Sequence, residues 1–278
     1  MSAFDRTASI VATELRLASR NSWILLATGV LGAFALALAF LGSGPSGALK
    51  ADPLVLTAAS LATLSVYLVP LIALLLTYDT VAGEIERGTL ALTLATPVSR
   101  AELLGAKFIG QLLVVTFAIA IGYGVAAAAV VAVHGVSDAG LTAWGVLGGT
   151  AILLGAVFIA IGTAISAASR QTGTAAAISV AVWLVVVVLY DLGLLAGLIL
   201  DGGGTFAKVV FPYLVLANPG DAFRLFNLAM LSGVAPVAGI DGLAATLPFS
   251  PFAALGALGL WLAAALGLAH LVFRRTTP

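Results

Sequence analysis

Residues 143–168 read Ala143-Trp-Gly-Val-Leu-Gly-Gly-Thr-Ala-Ile-Leu-Leu-Gly-Ala-Val-Phe-Ile-Ala-Ile-Gly-Thr-Ala-Ile-Ser-Ala-Ala168, without one charged side chain. Lipid offers no hydrogen bonds, so a stretch of about 20 or more apolar residues crosses the bilayer core as a helix that satisfies its own backbone. Ala156, Ala160, Ala164 and Ala168 recur every four residues, and Gly145 and Gly149 prepare the same spacing. Small residues at that interval let helices approach closely, within the subunit or between copies. Outward from this segment, five more apolar stretches qualify as spans: 23–42, 54–78, 104–133, 175–200 and 252–273. Pro70 falls inside the second, where a kink is expected. Gly259, Ala263 and Gly267 repeat the small-residue spacing in the last. The pattern predicts an all-α integral membrane protein with six transmembrane helices.

The composition agrees. Of 278 residues, 62% are hydrophobic and 9% charged, with a formal net charge of zero. A soluble domain carries about 25% charged residues. Disorder needs low hydrophobicity, and nucleic-acid binding needs a basic surface; neither fits. There is no cysteine, which removes disulfide and thiolate chemistry. Asp5, Arg6, Glu14, Arg16 and Arg20 precede the first apolar run, so no signal peptide is expected there.

Six spans place both ends on one side. Arg6, Arg16, Arg20, Arg87, Arg100, Lys107, Arg170, Arg274 and Arg275 fall on that side, nine of the twelve basic residues, against Lys50, Lys208 and Arg224 opposite. The positive-inside rule then makes both termini cytoplasmic. Residues 3–21 differ from the spans: Phe4, Ala8, Val11, Leu15 and Ala18 recur at helical intervals between charged residues. This is the pattern of an amphipathic helix at the interface.

Two connections carry most of the remaining information. The cytoplasmic segment 79–103 concentrates Asp79, Glu84, Glu86, Arg87 and Arg100, punctuated by Gly83, Gly88 and Pro97. One or two short helices joined by turns fit it. Its acids are available to pair with a cytoplasmic partner, or only within the loop. The outer loops 43–53 and 134–142 are short, whereas the outer segment 201–251 is long. Its Phe206–Leu216 stretch is too short for a span and suits an interfacial or re-entrant helix. Asn218-Pro219-Gly220 signals a turn, and Pro236 and Asp241 follow.

Asp191, after Tyr190, is an acid within the fifth span. Such residues are costly in lipid and mark pathways, so Tyr190 and Asp191 are candidates for cargo passage; a structural hydrogen bond is the other reading. His134 and His270 fall on opposite sides of the membrane, and Met1 and Met230 form no ladder, so no metal site is expected. Neither a metalloprotease motif nor a nucleophile arrangement is present, and no catalytic residue is assigned. An intramembrane hydrolase is the enzymatic alternative. No phosphate-binding loop occurs, so ATP hydrolysis would need another polypeptide.

The run Tyr78-Asp79…Gly83-Glu84…Arg87-Gly88-Thr89-Leu90, Thr96-Pro97-Val98-Ser99-Arg100 and Gly105-Ala106-Lys107-Phe108 resembles the membrane subunits of ABC-2-type transporters. That resemblance implies a type V exporter-like permease fold. It makes residues 3–21 an elbow helix and residues 79–103 a coupling segment that docks on an ATPase through Gly83, Glu84, Glu86, Arg87 and Gly88. Reversing the charge of Glu84 should then weaken ATPase co-purification. Leu74–Asp79, Leu189-Tyr190-Asp191-Leu-Gly-Leu-Leu195 and Asn218-Pro219-Gly-Asp221-Ala-Phe223-Arg224-Leu225 are similar to the NosY-type permeases of nitrous oxide reductase maturation. That likeness implies a bacterial inner-membrane complex of two permease copies, two NosF-like ATPases holding ATP and magnesium, and a periplasmic NosD-like protein. Asn218, Asp221 and Arg224 become candidates for contact with that protein or for capping an outer helix. The implied role is moving a sulfur species for copper-sulfur centre assembly, or transmitting ATPase motion to the periplasmic partner. A generic exporter of lipid or drug-like cargo and a non-transporting membrane scaffold are the alternatives.

Overall fold

The computed structural model describes residues 3–19, 22–41, 52–96, 98–230 and 248–276. Arg20, residues 43–51, Pro97, Pro236 and Asp241 lie outside them. The described chain is all-α. Helix α1 covers Ala3–Ser19, α2 Ser22–Leu41, α3 Pro53–Thr77, α4 Ala82–Glu86, α5 Thr89–Leu94, α6 Arg100–His134 and α7 Asp138–Ala168. Thr172–Trp183 (α8), a π-helical turn at Leu184–Leu189 and Tyr190–Asp201 (α9) form one continuous rod. A second π-turn at Phe206–Val210 leads into α10 (Phe211–Ala217), α11 (Pro219–Met230) and finally α12 (Phe252–Arg275).

Among the described residues, five segments are long and apolar enough to cross a membrane: Pro53–Glu86, Arg100–His134, Asp138–Ala168, Thr172–Asp201 and Phe252–Arg275. The protein is therefore a multi-span membrane protein. Helix α2, where the sequence places another span, is 20 residues long and carries no charge. Helix α3 continues through Pro70 without a break in assignment.

Helix α7 is the axis of the bundle. Its most apolar window is 72% buried within the protein, against 17% for the α8–α9 rod. It packs against α3 on one side and α12 on another, while α6 carries α1 and α2. Side-chain size explains the closeness of α3 and α7. The sites of Gly140, Gly155 and Gly162 on α7 face Leu54, Val69 and Thr77 on α3 in register, so the two helices run parallel. The residues at the start of each helix fix that register. Asp52 accepts from the Leu54 amide at 2.9 Å and from the Ser137 hydroxyl, which itself accepts from the Gly140 amide at 3.0 Å.

Of the small-residue stripe on α7, Ala156, Ala160 and Ala164 are buried, while Ala168 is exposed. Around Gly145 and Gly149 nothing lies within 4 Å. On α12 the inward face is instead Ala254, Leu258, Ala265 and Ala269. Gly259, Ala263 and Gly267 point outward, so that stripe plays no part in packing within the subunit. A β-carbon added at Gly162 would strike the Thr77 hydroxyl and come within 3.0 Å of its β-carbon. Gly162→Val should therefore destabilise the protein by the roughly 1–3 kcal/mol of an overpacked core. Gly145→Val should be near neutral. Thermal unfolding of the detergent-purified pair measures the difference, and equal midpoints would remove the close α3–α7 contact as a determinant.

Candidate functional site

Two polar assemblies interrupt the apolar bundle, one at its end and one deep among the helices. The first lies at the end where α1 and the close of α12 meet the α4–α5 hairpin. Arg100 fastens that end by donating to the carbonyls of Phe273 and Thr276, each at 2.7 Å. Helix α4 is only five residues long, and Gly88 (φ 70°) turns the chain into α5, a left-handed conformation that side chains disfavour. Gly83 gives room of a different kind. A β-carbon there would collide with the Asp79 carboxylate and lie 2.9 Å from the Arg87 guanidinium.

Ser166 of α7 holds the start of α4. Its hydroxyl oxygen accepts from the Val81 and Ala82 amides at 2.9 and 3.0 Å and donates to the Tyr78 carbonyl at 2.7 Å. These are the otherwise unpaired donors of a helix N-terminus. Lys107, about two turns into α6, is the second anchor. It contacts Glu84 of α4 at 2.7 Å and Glu14 of α1 at 2.9 Å, with its own side chain 5% exposed. Glu14 can reach it because α1 crosses α6 at Gly110, where a β-carbon would come within 2.7 Å of Glu14. Glu86 turns to α8 and accepts from the Thr172 amide at 2.9 Å. The hairpin is thus tied to α6, α7 and α8, and through Lys107 to α1.

Of the two acids singled out in this segment, Glu84 is half-buried against Lys107, whereas Glu86 is exposed while it bonds the Thr172 amide. Exposed at the hairpin tip are Arg87, Gly88, Thr89 and Leu92, with Leu92 71% exposed. Arg87 makes only a loose contact to Asp79 at 3.5 Å.

The second assembly lies deeper among the helices, around Tyr67 near the middle of α3 and Asp191 about two-thirds of the way along the α8–α9 rod. Arg224 of α11 contacts Asp221 at 2.6 Å and Asp191 of α9 at 3.0 Å. The Tyr67 hydroxyl of α3 donates to Asp191 at 3.0 Å. Burial pushes the Asp221 carboxyl up to about 6, against the pull of the neighbouring Arg224. Asn218 donates to the Val186 carbonyl of the π-turn at 2.6 Å, and its side-chain oxygen accepts from the Gly220 amide at 2.8 Å, capping α11. Asn227 and Thr150 bond α11 to α7. Every residue of α11 from Pro219 to Asn227 is buried. Asn218, Asp221 and Arg224 therefore turn inward, and Asp191 joins them in one cluster. Tyr190 does not: its hydroxyl donates to the Leu214 carbonyl at 2.8 Å.

An apolar cavity of about 420 Å³ opens between α2, α3, α6 and α8, lined by Thr28, Leu68, Ile72, Leu75, Val115 and Ala176 among others. Neither Tyr190 nor Asp191 lines it. Among the described residues no group of three or more His, Asp or Glu converges as metal ligands would.

The sequence matches a known family. The family model described as "ABC-2 family transporter protein" matches residues 8–277. The chain belongs to the ABC-2 transporter family. It is 39% identical over 274 residues to a Pseudomonas aeruginosa protein named "Probable ABC transporter permease protein NosY", covering 96% of this chain and 97% of the relative. A Stutzerimonas stutzeri protein of the same name is 38% identical over 270 residues, again covering 96% and 97%. This ABC-2 permease is thus closely related to NosY-type permeases and is not an ATPase domain. ABC-2 permeases generally pair with cytoplasmic ABC ATPase subunits, and the permease is a multi-pass membrane protein consistent with a bacterial inner membrane.

Sequence reasoning passed over Lys107, Glu14, Ser166, Tyr67 and Thr172. Lys107 had a usable signal. It is a lone lysine inside an apolar helix, and such a charge needs a partner. Ser166, in the last turn of α7, and Thr172, the first residue of α8, are ordinary hydroxyl residues and gave none.

Proposed function

We propose that this permease is the membrane-spanning subunit of an ATP-driven transporter serving maturation of the copper-sulfur centres of nitrous oxide reductase. The observation that carries the reading is the likeness, along 96% of the chain, to two NosY-named permeases. In this reading α2 is the sixth span of a type V exporter-like fold. Both termini and the α4–α5 hairpin face the cytoplasm, the side with nine of the twelve basic residues. Two copies assemble with two NosF-like ATPases, which hold the ATP and magnesium, and with a periplasmic NosD-like protein.

The ATPase docks on the coupling segment. Arg87 and Leu92 make the contact, Gly83 and Gly88 shape it, and Glu84 and Glu86 pass its movement to the spans. An exposed leucine at a hairpin tip is the kind of apolar anchor that a partner pocket buries. At the periplasmic end the cargo is a sulfur species passing Tyr190 and Asp191, or ATPase motion is handed to the NosD-like protein through the outer segment. The bonds from α11 to the fifth span, Arg224 to Asp191 and Asn218 to Val186, favour transmitted motion. The apolar cavity favours the second reading, a generic exporter of lipid or drug-like cargo.

Deletion of the gene in its native host tests the assignment. The expected result is nitrous oxide reductase that accumulates normally but lacks its copper-sulfur centre spectrum and activity, restored by the wild-type gene. Fully loaded, active reductase in the deletion strain would end the maturation role and leave an ABC-2 permease for other cargo.

A further inference from the structure

The α8–α9 rod is the most loosely packed of the long helices, with 17% of its apolar window buried. Its polar contacts to other elements are the Glu86–Thr172 bond at its start and, from Trp183 to Asp191, bonds to α3 and to the α10–α11 segment. A helix N-terminus presents amides without intrahelical partners, and the residue before α8, Gln171, makes no side-chain cap. The Glu86 carboxylate supplies the acceptor from another element, at 2.9 Å from the Thr172 nitrogen. A negative charge at that position is also favoured by the helix dipole. Further along, Asp191 is held by Arg224 and Tyr67, each at 3.0 Å. Between these two attachments lies the π-turn Leu184–Leu189, an irregularity that α-helices often carry at functional positions.

The attachments of α4 are arranged as a lever. Its first residues are fixed to α7 by Ser166, and Glu84 is fixed to α6 by Lys107. Both helices belong to the packed bundle and resist displacement. Glu86 is the last residue of α4, beyond both anchors and next to the exposed tip formed by Arg87, Thr89 and Leu92. A push on that tip therefore displaces Glu86 more than Val81, and the element bonded to Glu86 is the loosely held rod. We infer that Glu86 is the positioning residue that delivers movement of the α4–α5 hairpin to the fifth span by gripping its first amide. The inference rests on the proposed coupling of this hairpin to an ATPase.

Hydrogen–deuterium exchange of the purified permease–ATPase complex tests it. Exchange is read at residues 172–176, with and without ADP and vanadate, in wild type, Glu86→Ala and Glu86→Gln. The expected result is a nucleotide-dependent change in wild type that is lost in Glu86→Ala. Glu86→Gln, which keeps an oxygen acceptor at the same reach, should retain the change. Persistence of the change in Glu86→Ala would overturn the inference. So would loss of ATPase binding by that variant, because Glu86 would then be a docking residue. A wild-type permease that binds no ABC ATPase would instead overturn the transporter-subunit reading, and the inference with it.

Discussion

Replacing Arg224 with Met is expected to abolish recovery of folded permease from the membrane. The guanidinium is 9% exposed and sits between Asp221, 4% exposed, and Asp191, 26% exposed. Methionine fills similar volume, so the packing defect is small and the electrostatic one is not. Removing one partner of a buried ion pair costs about 3–5 kcal/mol, because the surviving charge remains desolvated without compensation. Many proteins have only about 5–15 kcal/mol of stability in total. Size-exclusion recovery in detergent and the thermal midpoint should both fall sharply. The combination Arg224→Met, Asp221→Asn and Asp191→Asn should restore much of both, since no carboxylate is then stranded. If the single and triple variants behave alike, the cluster acts through shape and not charge. Asp191→Asn alone keeps the Arg224–Asp221 pair, so assembly survives; a transport assay on that variant then isolates any role in cargo passage.

The same cluster shows where the sequence was legible. Asp191 declared itself, because an acid within an apolar run must be satisfied by something. What satisfies it was hidden, since Arg224 is 33 residues away and Tyr67 is 124 residues away. No periodicity connects elements at that separation. Arg224 also lay in a segment short of span length, which made an outward-facing role the natural reading. The membrane class and the all-helical fold were plain, because composition and uninterrupted apolar length act locally. Packing partners were not. The stripes Ala156-Ala160-Ala164 and Gly259-Ala263-Gly267 follow one rule in sequence, yet the first is buried and the second faces outward. The difference lies in the surroundings: α7 is enclosed by α3, α6, α11 and the last helix, whereas the apolar window of that last helix is 22% buried, and the stripes themselves do not encode it. The hairpin acids were a further case. Charge density marked residues 79–103 as distinctive, but α4 is too short for any pattern to tell its inward face from its outward one.

The second large effect is expected at Lys107. Its ammonium joins Glu14 of α1 to Glu84 of the α4–α5 hairpin while 5% exposed. Lys107→Met should strand both carboxylates against α6, with a cost again on the order of 3–5 kcal/mol. The consequence should be local. Helix α1 rests on α6 at Gly110 through Glu14, so repulsion between two unpaired acids releases α1 first and loosens α4 with it. Three results are expected together: protease cleavage within residues 3–19, weaker ATPase co-purification, and a lower thermal midpoint. Adding Glu14→Gln and Glu84→Gln removes the repulsion and should return α1 to a protected state. ATPase binding should recover in that triple variant, because the exposed tip at Arg87 and Leu92 is untouched. Full protection of α1 in the single variant would mean that apolar contacts alone hold that helix. Charge reversal at Glu84 follows from the same geometry: it would place a cation against Lys107, so any loss of the ATPase would come from disruption of the hairpin and not from a broken contact with the partner.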